Sequence, residues 1–150
     1  MIDQKNGIVL IKEAGLLLDS LDIRWWLTDG TLLGLYRDGK LMDYDEDIDL
    51  GCFIEDYNEE ISNKFIAKGW NEIYRFGTHD IGLEISLMKY NVKLDLFFFY
   101  KEIEFYWHGA WQELYKSGKL VGRNMIKYIY APFTLRIKSF NDFQTSIPYP

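Results

Sequence analysis

The feature that most constrains the fold is an alternation of acidic and apolar residues about one third of the way along the chain. Residues 43–51 read Asp-Tyr-Asp-Glu-Asp-Ile-Asp-Leu-Gly. Successive side chains of a β-strand point to opposite faces, so Asp47 and Asp49 share one surface of a strand. Ile48 and Leu50 then point to the other side, into a core. The pattern predicts a strand with one carboxylate-bearing face and one buried face.

Two carboxylates on one surface predict a bound cation. Left alone, Asp47 and Asp49 would repel each other, and a hard divalent ion bound through oxygen relieves that repulsion. Mg²⁺ or Mn²⁺ is the expected ion. Asp45 extends the same face and is expected to join or flank the site.

A second strand carries an isolated acid. Asp95 stands in the segment Leu-Asp-Leu at 94–96, which is followed by three phenylalanines. Burying this carboxylate unpaired would be costly, so a metal ion or a basic side chain must lie opposite it. If this strand lies beside the first, Asp95 becomes the third ligand of a two-metal site, with ions roughly 3.5 to 4 Å apart.

A solvated loop and a calcium-binding loop compete with a metal-binding strand as interpretations of the acidic run. Acidic runs are commonly solvated loops or faces, although the alternation with apolar residues and the isolated Asp95 disfavour a solvated loop here. A calcium loop would use Asp43, Asp45 and Asp47 at its first, third and fifth positions. Its sixth position is then Ile48 where glycine is required, and its twelfth is Ile54 where glutamate is required.

Hydrophobic periodicity predicts a single α+β domain over residues 1–150. The chain has 150 residues and is 48% hydrophobic, which suffices for one core. Apolar spacing at helical period predicts helices over residues 6–21, 31–36 and 56–68. Runs rich in β-branched and aromatic residues predict strands over residues 23–28, 43–51, 72–76, 83–90, 93–100, 102–107, 128–130 and 134–140. Asn91 marks a turn between two of them.

Charge and composition exclude several classes of function. A net charge of −6 and a pI near 4.9 would repel an extended nucleic acid, whereas a small phosphorylated substrate can still bind through a metal ion. No apolar run reaches the roughly 18 residues of a membrane span, so we expect a soluble chain. Cys52 is the single cysteine, which favours a reducing, cytoplasmic setting. His79 and His108 lack the spacing of zinc ligands, and we expect hydrogen-bonding or surface roles for both.

A glycine turn precedes the acidic strand. Gly30 and Thr31 lie between a predicted strand and a predicted helix, where backbone N–H groups at a helix start bind phosphate oxygens. The hydroxyl of Thr31 is expected near the helix cap. Arg37 is the cation best placed in the sequence to neutralise a phosphate. Further basic candidates are Lys93, Arg123, Arg136 and Lys138.

Four segments together resemble the LicD/fukutin family. They are TDGTLLGLYR at 28–37, DYDEDIDL at 43–50, KLDLF at 93–97 and KYIYAPF at 127–133. The resemblance implies a polymerase-β-type nucleotidyltransferase fold, with a short mixed sheet flanked by helices. It also implies transfer of a phospho-alcohol, such as phosphocholine or ribitol phosphate, from a CDP-linked donor to a sugar hydroxyl of a glycan or polyol, with release of CMP.

The resemblance assigns a role to each motif residue. Asp47, Asp49 and Asp95 match the family's catalytic, metal-binding acids, which hold two Mg²⁺ ions. Gly30 and Thr31 match its phosphate-contacting turn, and Arg37 matches a nearby basic position.

Two alternatives stay open on the sequence. The same fold and metal site serve nucleotidylyltransferases that transfer a nucleotide from an NTP to a small molecule or a protein. A catalytically silent module that binds a metal or a nucleotide is the other alternative. Release of CMP, release of pyrophosphate, or neither would separate the three.

Overall fold

The fold is α+β, as predicted. The computed structural model describes residues 1–130, and its seven strands form one mixed sheet flanked by helices. In chain order the elements are α1 (Gln4–Ser20), β1 (Trp25–Leu27), α2 (Asp29–Asp38), β2 (Asp47–Phe53), a 3₁₀ turn (Ile54–Asp56), α3 (Ile61–Ala67), β3 (Asn71–Thr78), β4 (Ile81–Lys89), β5 (Val92–Lys101), β6 (Tyr106–Lys116) and β7 (Lys119–Tyr130).

The two acid-bearing strands are neighbours. The strand order is β1-β2-β5-β4-β3, and β6 joins the end of β5 and pairs with β7. β2 and β5 run parallel, and their register sets Asp49 opposite Asp95. Parallel strands need a long crossover, which here consists of α3, β3 and β4. The sequence predicts a three-carboxylate site only if the strand of Asp95 lies beside the strand of Asp47 and Asp49. The pairing of β2 with β5 confirms that these strands are neighbours.

Helices cover one face of the sheet. α1 begins after Asp3, whose carboxylate accepts the N–H of Asn6 at 2.8 Å as an N-cap. Its apolar stripe is buried in one cluster with the inward-facing Ile48 and Leu50 of β2 and with Leu94 of β5. Ile48 and Leu50 therefore enter the core as the alternation predicts. Within residues 1–130, no helix is both long and apolar enough to cross a membrane.

Aromatic side chains cover part of the opposite face. Trp26, Phe53, Phe97 and Phe99 form a second buried cluster, against which Tyr106 of β6 packs. The ring centroids of Trp26 and Phe99 lie 4.8 Å apart, edge to face. This cluster and the acids share one face, because the same alternation that points Asp49 and Asp95 outward points Phe53 and Phe97 outward as well.

The predicted helix over residues 56–68 is wrong in its first half. A 3₁₀ turn ends at Asp56, and α3 begins only at Ile61. The carboxylate of Asp56 accepts hydrogen bonds from the Nε and backbone N–H of Arg24, at 2.7 and 3.1 Å. Tyr57 then takes an extended conformation. This contact between distant segments holds the chain out of a helix that local spacing favours.

The predicted strand over residues 102–107 is wrong in its first four residues, which form the connection to β6, and right for Tyr106 and Trp107, which begin β6. β6 and β7 build one long hairpin, whose two turn residues, Ser117 and Gly118, both have positive φ. The predicted strand at 128–130 is the end of β7. The predicted strand at 134–140 lies outside the described residues.

Candidate metal centre

Three carboxylates meet on one face of the parallel pair. One oxygen from each of Asp47, Asp49 and Asp95 lies within 4.8 Å of the other two. The parallel register places Asp49 beside Asp95, and Asp47 lies two residues earlier on the same face of β2. The strand pairing thus brings together the three acids that the sequence named, whose role as metal ligands stays a prediction.

A lysine lies against this acid cluster, as the isolation of Asp95 requires. The Nζ of Lys93 is 2.9 Å from Oδ2 of Asp95 and 3.7 Å from Oδ2 of Asp47. The hydroxyl of Ser86, opposite on β4, donates to the other oxygen of Asp95. Burial acts to lower the pKa of Lys93, but the two carboxylates outweigh it and raise that pKa. Lys93 is therefore held as a cation.

The cluster retains uncompensated negative charge. Burial raises the pKa of Asp49 well above its usual range, and the charges of Asp47 and other nearby acids add to that shift. Burial also raises the pKa of Asp95, while the bonds from Ser86 and Lys93 act the other way. The single charge of Lys93 offsets one of three carboxylates. Hard oxygen ligands with surplus negative charge are the donor set that Mg²⁺ or Mn²⁺ requires, so these residues fit such an ion.

The start of α2 is fastened to the acidic strand. The backbone N–H of Asp49 donates to the hydroxyl of Thr31 at 2.8 Å, and its carbonyl accepts the N–H of Thr28 at 3.2 Å. Thr31 is fully buried, and the N-cap residue of α2 is Thr28. Thr31 therefore lies in the first turn of α2, near the cap as expected, but does not cap the helix. Its hydroxyl instead holds β2 beside the N-terminus of α2, where phosphate oxygens bind readily.

Asp45 flanks the cluster without extending the strand. β2 begins at Asp47, so Asp45 lies in the preceding turn and the predicted strand start at residue 43 is wrong. Its carboxylate packs on Gly30, where an added Cβ would lie 3.1 Å from Oδ2. Oδ2 of Asp45 is buried without a hydrogen-bond partner. Burial and the charge of Asp47 raise the pKa of Asp45.

Arg37 does not contact the cluster of Asp47, Asp49 and Asp95. It occupies the last turn of α2, at the opposite end from Gly30, and donates to Asp38 at 2.9 and 2.7 Å. Its role in phosphate binding stays a prediction. Arg123 lies on β7 and pairs with Glu113 at 3.4 Å. Two further basic candidates, Arg136 and Lys138, lie outside the described residues.

A buried histidine joins the site from the hairpin. The hydroxyl of Tyr130 donates to Oδ1 of Asp29 at 2.9 Å, and Nε2 of His108 lies 3.5 Å from Oδ2 of the same residue. Burial lowers the pKa of His108, and Asp29 opposes that shift. The sequence leaves a hydrogen-bonding or a surface role open for His108, and the buried position favours the first. It indicates no partner, because no local signal connects residues so distant in the chain.

Glu84 is a further acid on this face. It is 7% exposed, its Oε2 has no hydrogen-bond partner, and burial, with the charge of Asp95, raises its pKa to about 7. On β4 it stands two residues before Ser86. The alternation Leu-Glu-Ile-Ser-Leu at 83–87 carried the signal, since it predicts that Glu84 and Ser86 share one face.

Comparison with known proteins assigns the family. The model of the family described as LicD/FKTN/FKRP, nucleotidyltransferase domain, matches residues 22–149. The chain belongs to this family. The LicD/FKTN/FKRP match includes β2, β5 and α2, and therefore Asp47, Asp49 and Asp95. It confirms the family resemblance of the four sequence segments.

Three relatives of the chain carry a common activity in their names. Ribitol-5-phosphate transferase FKTN of Macaca fascicularis is 37% identical over 99% of this chain and 31% of its own length. The Homo sapiens protein of the same name is 37% identical over 97% of this chain and 30% of its own. Ribitol 5-phosphate transferase FKRP of Homo sapiens is 44% identical over 39 residues, which are 26% of this chain and 8% of the relative. The chain spans about a third of the length of its FKTN relatives.

Proposed function

We propose that this chain is the catalytic domain of a phospho-alcohol transferase with a polymerase-β-type nucleotidyltransferase fold. Its donor is a CDP-linked alcohol, with CDP-ribitol the first choice, and its acceptor is a hydroxyl of a glycan or polyol. The observation that carries the proposal is the convergence of Asp47, Asp49 and Asp95 within 4.8 Å in a LicD/FKTN/FKRP chain. The names of the FKTN relatives favour ribitol phosphate over phosphocholine.

In this proposal Asp47, Asp49 and Asp95 hold two Mg²⁺ or Mn²⁺ ions. Ions bound there would supply positive charge to the donor diphosphate and to the leaving CMP oxygen. The N-terminus of α2, fixed to β2 by Thr31, would place backbone N–H groups beside the phosphates. Phosphoryl transfer needs chiefly such positioning and charge, and both come from rigid elements here.

The reaction proposed at this site balances in one displacement. The acceptor oxygen forms a bond to the phosphorus that carries the alcohol, and the bond from that phosphorus to the bridging oxygen breaks. CMP leaves with the electron pair. The carboxylate of Asp95, close to the attacking oxygen, accepts the proton of the attacking hydroxyl.

A donor screen with product analysis tests the function. The chain is incubated with Mn²⁺ and, separately, with CDP-ribitol, CDP-glycerol, CDP-choline or CTP, with ribitol as a model acceptor. We expect CMP from a CDP-alcohol and none from the Asp95→Asn variant. Asp43→Asn, which changes an exposed acid of the same segment, serves as the matched control and keeps activity.

The products separate the competing functions. Pyrophosphate released from CTP, with no CMP from any CDP-alcohol, would replace the proposal with nucleotidyl transfer. Binding of donors without any product would favour a silent module. Full activity in Asp95→Asn would remove the metal-site assignment itself.

A further inference from the structure

The ammonium group of Lys93 stands where a metal ion would bind. It contacts Oδ2 of Asp95 at 2.9 Å and lies 3.7 Å from Oδ2 of Asp47, two of the three acids of the cluster. The other oxygen of Asp95 already accepts the hydroxyl of Ser86. Both oxygens of this buried carboxylate are therefore engaged before any metal arrives. An ion that binds Oδ2 of Asp95 must displace Lys93 or share that oxygen with it.

Sharing is strongly unfavourable. A divalent ion and an ammonium group on one carboxylate oxygen would place three positive charges within a few ångströms, in a half-buried setting where water screens them poorly. Displacement is sterically open, since the side chain of Lys93 is one-third exposed and ends a flexible four-carbon stem. That side chain and Asp47 also line a polar cavity of about 390 Å³, together with Glu46 and Asn91. Lys93 can move into it without disturbing β5.

On the basis of the function proposed above, we propose that Lys93 is an exchangeable counter-ion. It neutralises Asp95 and Asp47 in the metal-free protein, yields them to the metal, and then binds the diphosphate of the donor. The displaced ammonium stays within one side-chain length of the acids, because Lys93 is two residues from Asp95 on the same face of β5. A nucleoside diphosphate held at the acids would lie within that reach, and lysine binds phosphate as a compact point charge.

The exchange predicts effects of opposite sign for one substitution. Lys93→Met removes the charge and keeps most of the stem. Without its competitor, Mn²⁺ should bind about tenfold more tightly, measured calorimetrically in the absence of nucleotide. With Mn²⁺ saturating, the Kd for CDP should rise about tenfold, because the phosphates lose a cation. A merely structural lysine would not tighten metal binding while weakening nucleotide binding.

Two further variants control for charge and position. Lys93→Arg keeps the positive charge, so its affinity for Mn²⁺ should stay near that of the wild type. Lys40→Met removes a lysine that pairs with the exposed Asp43, at 2.9 Å, outside the cluster. Neither affinity should change in Lys40→Met.

Thermal unfolding covers the case in which Lys93→Met is poorly stable. With EDTA its Tm should fall below that of the wild type, since Asp95 and Asp47 lose their counter-ion. Mn²⁺ should then raise the Tm more in Lys93→Met than in the wild type. Equal or weaker Mn²⁺ binding by Lys93→Met, or an unchanged Kd for CDP, overturns the exchange. Failure of the wild type itself to bind Mn²⁺ contradicts the proposed function as well, and that result does not depend on Lys93.

Discussion

The substitution Asp49→Asn should stabilise the metal-free protein while it removes the response to metal. Asp49 has one oxygen within 4.8 Å of oxygens of both Asp47 and Asp95. Two unit charges at that distance repel by about 3.5 kcal/mol at an effective dielectric constant of about 20. Water and the ammonium of Lys93 offset much of this repulsion. We therefore expect Asp49→Asn to increase the free energy of unfolding by about 1–3 kcal/mol, a large single-site effect.

The stability gained by Asp49→Asn depends on pH in a defined way. Folding raises the pKa of Asp49, chiefly by burial, so the folded state of the wild type retains this proton to higher pH than the unfolded state. The resulting instability is therefore absent below the usual carboxyl pKa of 3.8, grows as the pH rises through the folded pKa, and is full above it. The advantage of Asp49→Asn should be present at neutral pH and vanish in acid.

Thermal unfolding with EDTA and with excess Mn²⁺ measures both effects. For a chain of this size, 1–3 kcal/mol corresponds to a rise in Tm of about 2–12 °C with EDTA. Mn²⁺ at about a hundred times its Kd should add about 2.7 kcal/mol to the wild type and little to the variant. Asp43→Asn is the control, since its exposed carboxylate lies outside the cluster. A variant less stable than the wild type with EDTA, or one with an unchanged Mn²⁺ response, would refute this reasoning.

Three further predictions concern the supports of the site, each measured by urea denaturation. Thr31→Val should cost about 1–3 kcal/mol, because the partly buried N–H of Asp49 loses its acceptor. An unchanged free energy of unfolding would contradict the anchoring role of Thr31. Gly34→Ala should cost about 1–3 kcal/mol, since its Cβ would lie 2.8 Å from the backbone oxygen of Lys40. An unchanged free energy of unfolding would show that the backbone at Lys40 can shift to make room for the Cβ. Hydrogen bonds from Arg24 lower the pKa of Asp56, so their contribution to stability is lost as the pH falls through that lowered pKa. Asp56→Asn should therefore lose less stability in acid than the wild type does. The same loss of stability in both proteins would exclude this contribution.

The sequence predicts the acid-bearing elements because their signals are local. Alternation in β2 fixes which side chains share a face, and it correctly separates Asp47 and Asp49 from the core residues Ile48 and Leu50. The isolation of Asp95 among apolar residues predicts a metal ion or a basic side chain beside it, and the structure shows the basic side chain, Lys93. Adjacency of β2 and β5 is a tertiary fact. From the sequence, the three-carboxylate site could be predicted only on the condition that these strands are neighbours, and the structure shows that they pair in parallel.

Distant contacts account for the errors. The pairing of Arg24 with Asp56 interrupts a helix that local periodicity extends to residue 56. The β6–β7 hairpin is largely exposed, so most of its positions lack the apolar alternation that marks a half-buried strand. Its turn did carry a usable signal, since Ser117 and Gly118 form a Ser-Gly pair between two β-prone runs.

The contacts of Asp29 were beyond sequence reasoning for the same reason. Tyr130 follows it by 101 residues and donates to its carboxylate. Only the folding of the hairpin over the sheet joins the two. Residues that complete a site from a distant element leave no periodic or motif signal near the residues they contact.

The most direct test of the central claim is an anomalous difference map from a crystal of this chain soaked with Mn²⁺. The account predicts density between Asp47, Asp49 and Asp95, at about 2.0–2.3 Å from their oxygens, with the ammonium of Lys93 moved off Asp95. No density at this cluster, in a crystal where Lys93 still contacts Asp95, would contradict it.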